Sequence, residues 1–157
     1  MLLPDAQTSL PAAAPFEYEA RLAELPPLTG DPRADLAVHR RFIEELHRSG
    51  ASGQTVVRLQ SAATDRLVGV LWSRAVEEAG KAQAPSPVSL VALGGDGRNE
   101  LALYSDLDLL VLHGSRVPDA FVKEASEKLL YALWDLKLEV GYAVRRDADD
   151  VPQGGTG

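Results

Sequence analysis

Two short apolar runs separated by a glycine-rich turn constrain this chain more than any other feature. Val88-Ser89-Leu90-Val91-Ala92-Leu93 and Asp106-Leu107-Asp108-Leu109-Leu110-Val111-Leu112 stand on either side of Gly94-Gly95-Asp96-Gly97. Apolar runs of this length, bounded by glycine, read as buried strands. Leu138 to Val144 predicts a third strand, and Arg98 to Leu103 a short helix between the first two. Strands apolar on both faces need helices packed over them, and the rest of the chain supplies the helices. Asp31 can accept from free backbone donors as an N-cap, Pro32 fits the first helical position, and Ser49-Gly50 supplies a left-handed stop. A second helix is expected from Ser52 to Glu78, ended by Gly80, Pro85 and Pro87, and a third from Val117 to Leu136. The expected fold is α/β (α+β), a small mixed sheet flanked by helices and preceded by a helical pair.

The expected layout has three parts. Residues 1–30 carry Pro4, Pro11, Pro15, Pro26 and Pro27 and read as an extended, poorly ordered arm, within which Phe16, Tyr18 and Leu22 could pack as a short element on the domain. Residues 31–146 form the folded domain, divided into a helical pair at 31–80 and a sheet core at 88–146. Residues 147–157 read as a flexible, glycine-rich tail. At 157 residues there is room for one core. A net charge of −7 argues against long nucleic acid as a partner, because a negative field repels a phosphate backbone. With no cysteine, thiolate metal sites and thiol nucleophiles are excluded. No window reaches the roughly 18 uninterrupted apolar residues that span a bilayer. Met1-Leu2-Leu3-Pro4-Asp5 lacks the basic start of a secretory signal. The expected address is therefore the cytoplasm, with no membrane partner.

Chemistry concentrates between Gly94 and Leu112. Asp106 and Asp108 are two apart on a predicted strand, so both carboxylates point to one face while Leu107 and Leu109 face the core. Paired carboxylates suit Mg²⁺, which completes its shell with water and substrate phosphates. At Gly94-Gly95 the missing side chains let phosphates approach the backbone N–H groups. Asp96 to Ser105 separate that turn from the acids, which allows two neighbouring strands to present a phosphate cradle and a metal site on one rim.

Leu93-Gly94-Gly95, Arg98 and Ser105-Asp106-Leu107-Asp108-Leu109-Leu110 resemble the signature of the DNA-polymerase-β-like nucleotidyltransferases. Together with Glu100-Leu101 and Leu133-Trp134-Asp135-Leu136-Lys137-Leu138-Glu139-Val140-Gly141, they look most like the N-terminal transferase domain of the bifunctional uridylyltransferase/uridylyl-removing enzymes. That resemblance implies transfer of UMP from UTP to a tyrosine of the nitrogen-signalling protein PII. It also implies nucleotide contacts from Gly94, Gly95, Arg98 and Ser105. Two Mg²⁺ ions would sit on Asp106 and Asp108, and Glu139 is the candidate third carboxylate. The chain departs from the family at Asp96, Asn99 and Gly141-Tyr142-Ala143, where the family has tyrosine, a small residue and Gly-His-Ser. The family's hydrolase and regulatory modules are not legible in these residues. Two rival readings accompany this one. In the first, a catalytically silent or truncated domain binds a nucleotide or partner without turnover; in the second, a minimal nucleotidyltransferase uses another acceptor.

Other signals read as ordinary structure. His39 and His47 are expected as solvent-facing residues of the first helix, Trp72 and Trp134 as core, and Arg145-Arg146 as a solvated strand end. His113, at the end of the second strand, is given no catalytic duty.

Overall fold

The computed structural model describes residues 16–80, 88–93 and 106–147. Gly94, Gly95, Arg98 and Ser105, the short helix expected at 98–103, the first 15 residues and the expected tail from 148 onward lie outside the described residues. The described elements are α1 (Glu17–Glu24), α2 (Pro32–Arg48), α3 (Gly53–Gly80), β1 (Val88–Leu93), β2 (Leu107–His113), α4 (Asp119–Asp135) and β3 (Val140–Arg146).

Helix α2 begins as its sequence dictates. Asp31 Oδ1 accepts from the backbone N–H of Arg33 at 3.1 Å and of Ala34 at 3.3 Å, and Pro32 opens the first turn. Its end is a Schellman turn: Gly50, at φ 104°, donates to His47 O while Ala51 N–H donates to Leu46 O. Helix α4 ends in the same pattern, Lys137 to Trp134 O and Leu138 to Leu133 O, but there the left-handed residue is Lys137, at φ 63°. A side chain in that conformation costs roughly 1 kcal/mol that glycine avoids. The turn also consumes Leu138 and Glu139, so β3 starts at Val140, two residues later than the sequence expectation.

The sheet is mixed, in the order β1-β2-β3. β1 runs antiparallel to β2, with Leu93 opposite Asp108, and β3 runs parallel to β2, with Val140 opposite Leu107 and Gly141 opposite Asp108. A parallel pair cannot be joined by a hairpin, and α4 makes the crossover. Leu107, Leu109, Val111 and His113 of β2 are buried against the helices, while Asp108 is exposed on the other face.

Helix α3 is the spine. Its 28 residues extend about 42 Å at 1.5 Å per residue. Val56, Leu59 and Ala63 at one end pack with Leu25 and Ile43 under α1 and α2. Leu67, Val68, Leu71 and Ala75 pack with Leu107, Leu109, Leu129 and Leu133 between sheet and α4. Val111, Val117, Phe121 and Val122 form a third cluster beside Trp72.

Three sequence expectations are corrected. The arm expected over residues 1–30 carries a helix, α1, within its described part. Tyr18, Leu22 and Leu25 of this segment pack on the α2–α3 core, and Arg58 stacks on the Tyr18 ring at 3.8 Å. That tertiary burial outweighs the flanking prolines. His39 is buried rather than solvent-facing, because its Nε2–H donates to Pro26 O at 2.7 Å. Trp134 is 47% exposed and meets Tyr131 edge-to-face, whereas Trp72 does pack on the core. At the strand end, Arg146 pairs with Asp119 at 2.9 Å.

Candidate functional site

The two acids of the motif stand where β2 begins. Asp106 immediately precedes the strand and Asp108 is its second residue; both are exposed, on either side of buried Leu107. In extended chain, residues two apart lie about 7 Å from each other and face the same way. Leu107 N–H donates to Glu139 O at 2.9 Å, which holds the start of β3 beside the start of β2. Glu139 is exposed there and adjoins Asp106 across the two strands. Among the described residues, Asp106 and Asp108 make no hydrogen bond or ion pair with a side chain. Arg98, Ser105 and the two glycines lie outside the described residues. Even so, Leu93, the residue before Gly94, is the register partner of Asp108.

A site residue that the motif alone does not disclose is Gly141. A Cβ built there would meet Asp108 Oδ1 at 2.8 Å. The Asp108 carboxylate lies over the bare Cα of the neighbouring strand, and only glycine leaves that bed open. Gly141 belongs to a strand and has no left-handed backbone, so its absent side chain serves close approach rather than conformation.

Hard oxygen donors of this kind fit Mg²⁺ held by one or two carboxylates, with water and phosphate completing the shell. They do not make an all-protein cage, since among the described residues no three His, Asp or Glu side chains gather to hold a metal. Glu139 therefore stands beside the pair without closing a three-carboxylate cluster. His113 lies on the opposite, buried face of β2, where its Nδ1–H donates to Gly114 O at 3.1 Å.

A cavity of about 220 Å³ opens next to the acids, between α2, α3 and the first residues of β2 and β3. Its buried wall includes His39, Gln60, Leu67, Val68 and Leu107, and its exposed rim carries Asp106, Lys137 and Glu139. In the first turn of α2, Asp35 is a buried carboxylate that accepts from Thr29 Oγ1 at 2.7 Å and from Thr29 N–H at 2.9 Å. The Thr29 hydroxyl holds its carboxyl below the usual carboxylate range against the opposing effect of burial, helped by the backbone donors of Thr29 and Gly30 and by nearby His39. Asp35 thereby pins the turn that leads into α2.

Residues 38–144 match the family model of nucleotidyltransferase DUF294. A bifunctional uridylyltransferase/uridylyl-removing enzyme of Stutzerimonas stutzeri is 34% identical over 134 residues, 85% of this chain and 14% of that protein. The enzyme of the same name from Caulobacter vibrioides is 38% identical over 110 residues, 68% of this chain and 12% of the relative. That of Vibrio parahaemolyticus is 55% identical over 58 residues, 37% of this chain and 6% of the relative. The chain thus spans about one seventh of the first of these relatives or less, and no solved structure matches it. Among the described residues no helix is long and apolar enough to cross a membrane. The family match covers the carboxylates, their glycine bed and the strands that carry them, and the chain belongs to the DUF294 nucleotidyltransferase family.

Proposed function

We propose that this domain transfers UMP from UTP to a tyrosine hydroxyl of a PII-type signalling protein, in the cytoplasm and in the service of nitrogen regulation. One observation carries the reading. Asp106 and Asp108 are exposed at the start of β2, at the same end of the sheet at which β1 runs toward Gly94-Gly95. The names of the matching relatives favour uridine, and PII comes from the family resemblance.

In this reading the tyrosine oxygen attacks the α-phosphorus of UTP, a new phosphorus–oxygen bond forms, and the bond to pyrophosphate breaks as the hydroxyl proton departs to solvent. Asp106 and Asp108 hold Mg²⁺, which when bound neutralises phosphate charge and lowers the pKa of the attacking hydroxyl. Gly141 keeps the Asp108 carboxylate in place from below. Gly94, Gly95 and the N–H groups that follow receive phosphate oxygens, with Arg98 and Ser105 beside them. Glu139, beside the pair on the neighbouring strand, is the candidate third carboxylate and would orient the acceptor hydroxyl. Positioning and charge neutralisation do most of the work in such transfers, so these few groups suffice.

The test is incubation of the chain with PII, UTP and Mg²⁺, followed by mass spectrometry of the PII tyrosines. A UMP adduct that disappears in the Asp106→Asn/Asp108→Asn variant is expected. An unmodified PII with the unaltered chain, or an adduct that survives the double substitution, overturns the reading.

A further inference from the structure

Gln60 is 8% exposed on α3, and among the described residues its amide oxygen, Oε1, is buried with no hydrogen-bond partner. A buried acceptor without a donor is costly, and natural proteins keep few of them. The other end of the amide is engaged, with Nε2–H donating to Thr64 Oγ1 at 3.3 Å. Gln60 and Thr64 both line the cavity whose rim carries Asp106. Leu67, Val68 and Leu107 make the neighbouring wall apolar.

We propose that this cavity receives the pyrimidine base of the nucleotide, with Gln60 as the residue that reads it. The inference rests on the nucleotidyl-transfer reading and deepens it. At about 220 Å³ the space is smaller than the ~300–1,000 Å³ of sites that enclose drug-sized ligands, so it suits a single ring and not a whole nucleotide. A flat ring would pack on Leu67 and Val68. Its imide N–H would donate to the unpaired Oε1, and the remaining Nε2–H would reach a ring carbonyl. Uracil presents that donor between two carbonyls. Cytosine places an acceptor at the same ring position, lone pair against lone pair. With the base inside, the triphosphate would emerge at the rim, where Asp106 could hold a metal ion and Lys137 adds positive charge. The strained left-handed backbone of Lys137 puts a cation at this rim where glycine would be the unstrained choice.

Gln60→Leu tests the assignment, since it keeps the volume and removes an unsatisfied oxygen, a change that should leave folding stability equal or higher. Calorimetry with Mg²⁺ would compare UTP, CTP and inorganic tripolyphosphate. The expected result is a tenfold or greater loss of UTP affinity, loss of the preference for UTP over CTP, and unchanged tripolyphosphate binding. In the unsubstituted chain, the Gln60 side-chain amide resonances should shift with UTP and stay in place with tripolyphosphate, a readout that needs no variant. Unchanged UTP affinity in Gln60→Leu, or amide resonances indifferent to UTP, overturns the base pocket while leaving nucleotidyl transfer standing. A Gln60→Leu effect confined to the KM for the protein acceptor also overturns it, because the ring in the cavity is then the acceptor's. Failure of the unsubstituted chain to bind either UTP or tripolyphosphate in Mg²⁺ sinks the transfer reading itself, and the base pocket with it.

Discussion

Replacing Gly141 by alanine separates the bed beneath the Asp108 carboxylate from the fold. The added methyl would lie 2.8 Å from Asp108 Oδ1, 0.6 Å inside the 3.4 Å at which ordinary contact begins. The side chain of Asp108 is exposed at this point and can swing, so the clash is relieved by moving the carboxylate rather than the strand. Alanine also restricts the unfolded chain, worth roughly 0.5–1 kcal/mol in the folded state's favour, which offsets the rearrangement. Melting temperature should therefore stay within a few degrees of the parent. Chemistry should not be spared. Misplacement of a reacting group by ~1 Å can cost 10²-fold, so a shift of 0.6 Å or more predicts a loss of about 10- to 100-fold in kcat/KM for UMP transfer, or about 1.4–2.7 kcal/mol in the barrier. Mn²⁺ affinity measured by electron paramagnetic resonance should weaken in parallel, a readout independent of any acceptor. Gly141→Ala with parental transfer rate and parental Mn²⁺ affinity would refute the claim that Asp108 depends on this bed.

Two further changes probe the scaffold. Asp35 has a depressed carboxyl pKa, so its contribution is present above the unfolded value near 3.8 and is lost as pH falls through the still lower folded value. Chemical denaturation from pH 7 down to 2 should show that Asp35→Asn is less stable than the parent near neutrality and that the gap narrows below about pH 3.8; a gap constant with pH would exclude the linkage. Leu133 is fully buried between α3, α4 and the sheet, and Leu133→Ala should cost about 2–5 kcal/mol in urea unfolding at pH 7. A loss below 1 kcal/mol would mean that the cluster is not packed as described.

What could be read in the sequence was mostly local. Asp31, Pro32 and Gly50 act within a few residues of themselves, and both ends of α2 fall where their chemistry demands. The alternation of Asp106, Leu107, Asp108 and Leu109 likewise gives the exposed and buried faces of β2, because period two needs only the strand itself. What escaped depends on partners distant in sequence. The helix at Glu17–Glu24 forms against α3, so the prolines on either side gave a misleading local signal. His39 is buried because Pro26 offers it a carbonyl across a turn, and Trp134 is exposed because the face of α4 that meets α3 is filled by Leu129 and Leu133. Gly141 is visible in the sequence only as part of a motif. Its use follows from the strand register that sets it beside Asp108. Gln60 carries no pattern at all; only packing shows that its oxygen lacks a donor.

The parallel pairing of β2 with β3 has a consequence for how the domain matures. Asp106 and Asp108 leave the ribosome a full helix ahead of Gly141, and the bed beneath Asp108 exists only after α4 has crossed over and β3 has docked in register. A nascent or clipped chain ending before Val140 therefore carries both acids without the seat that aligns them. Alignment of Asp108 thus arrives with β3, and partially made copies hold the two acids without it.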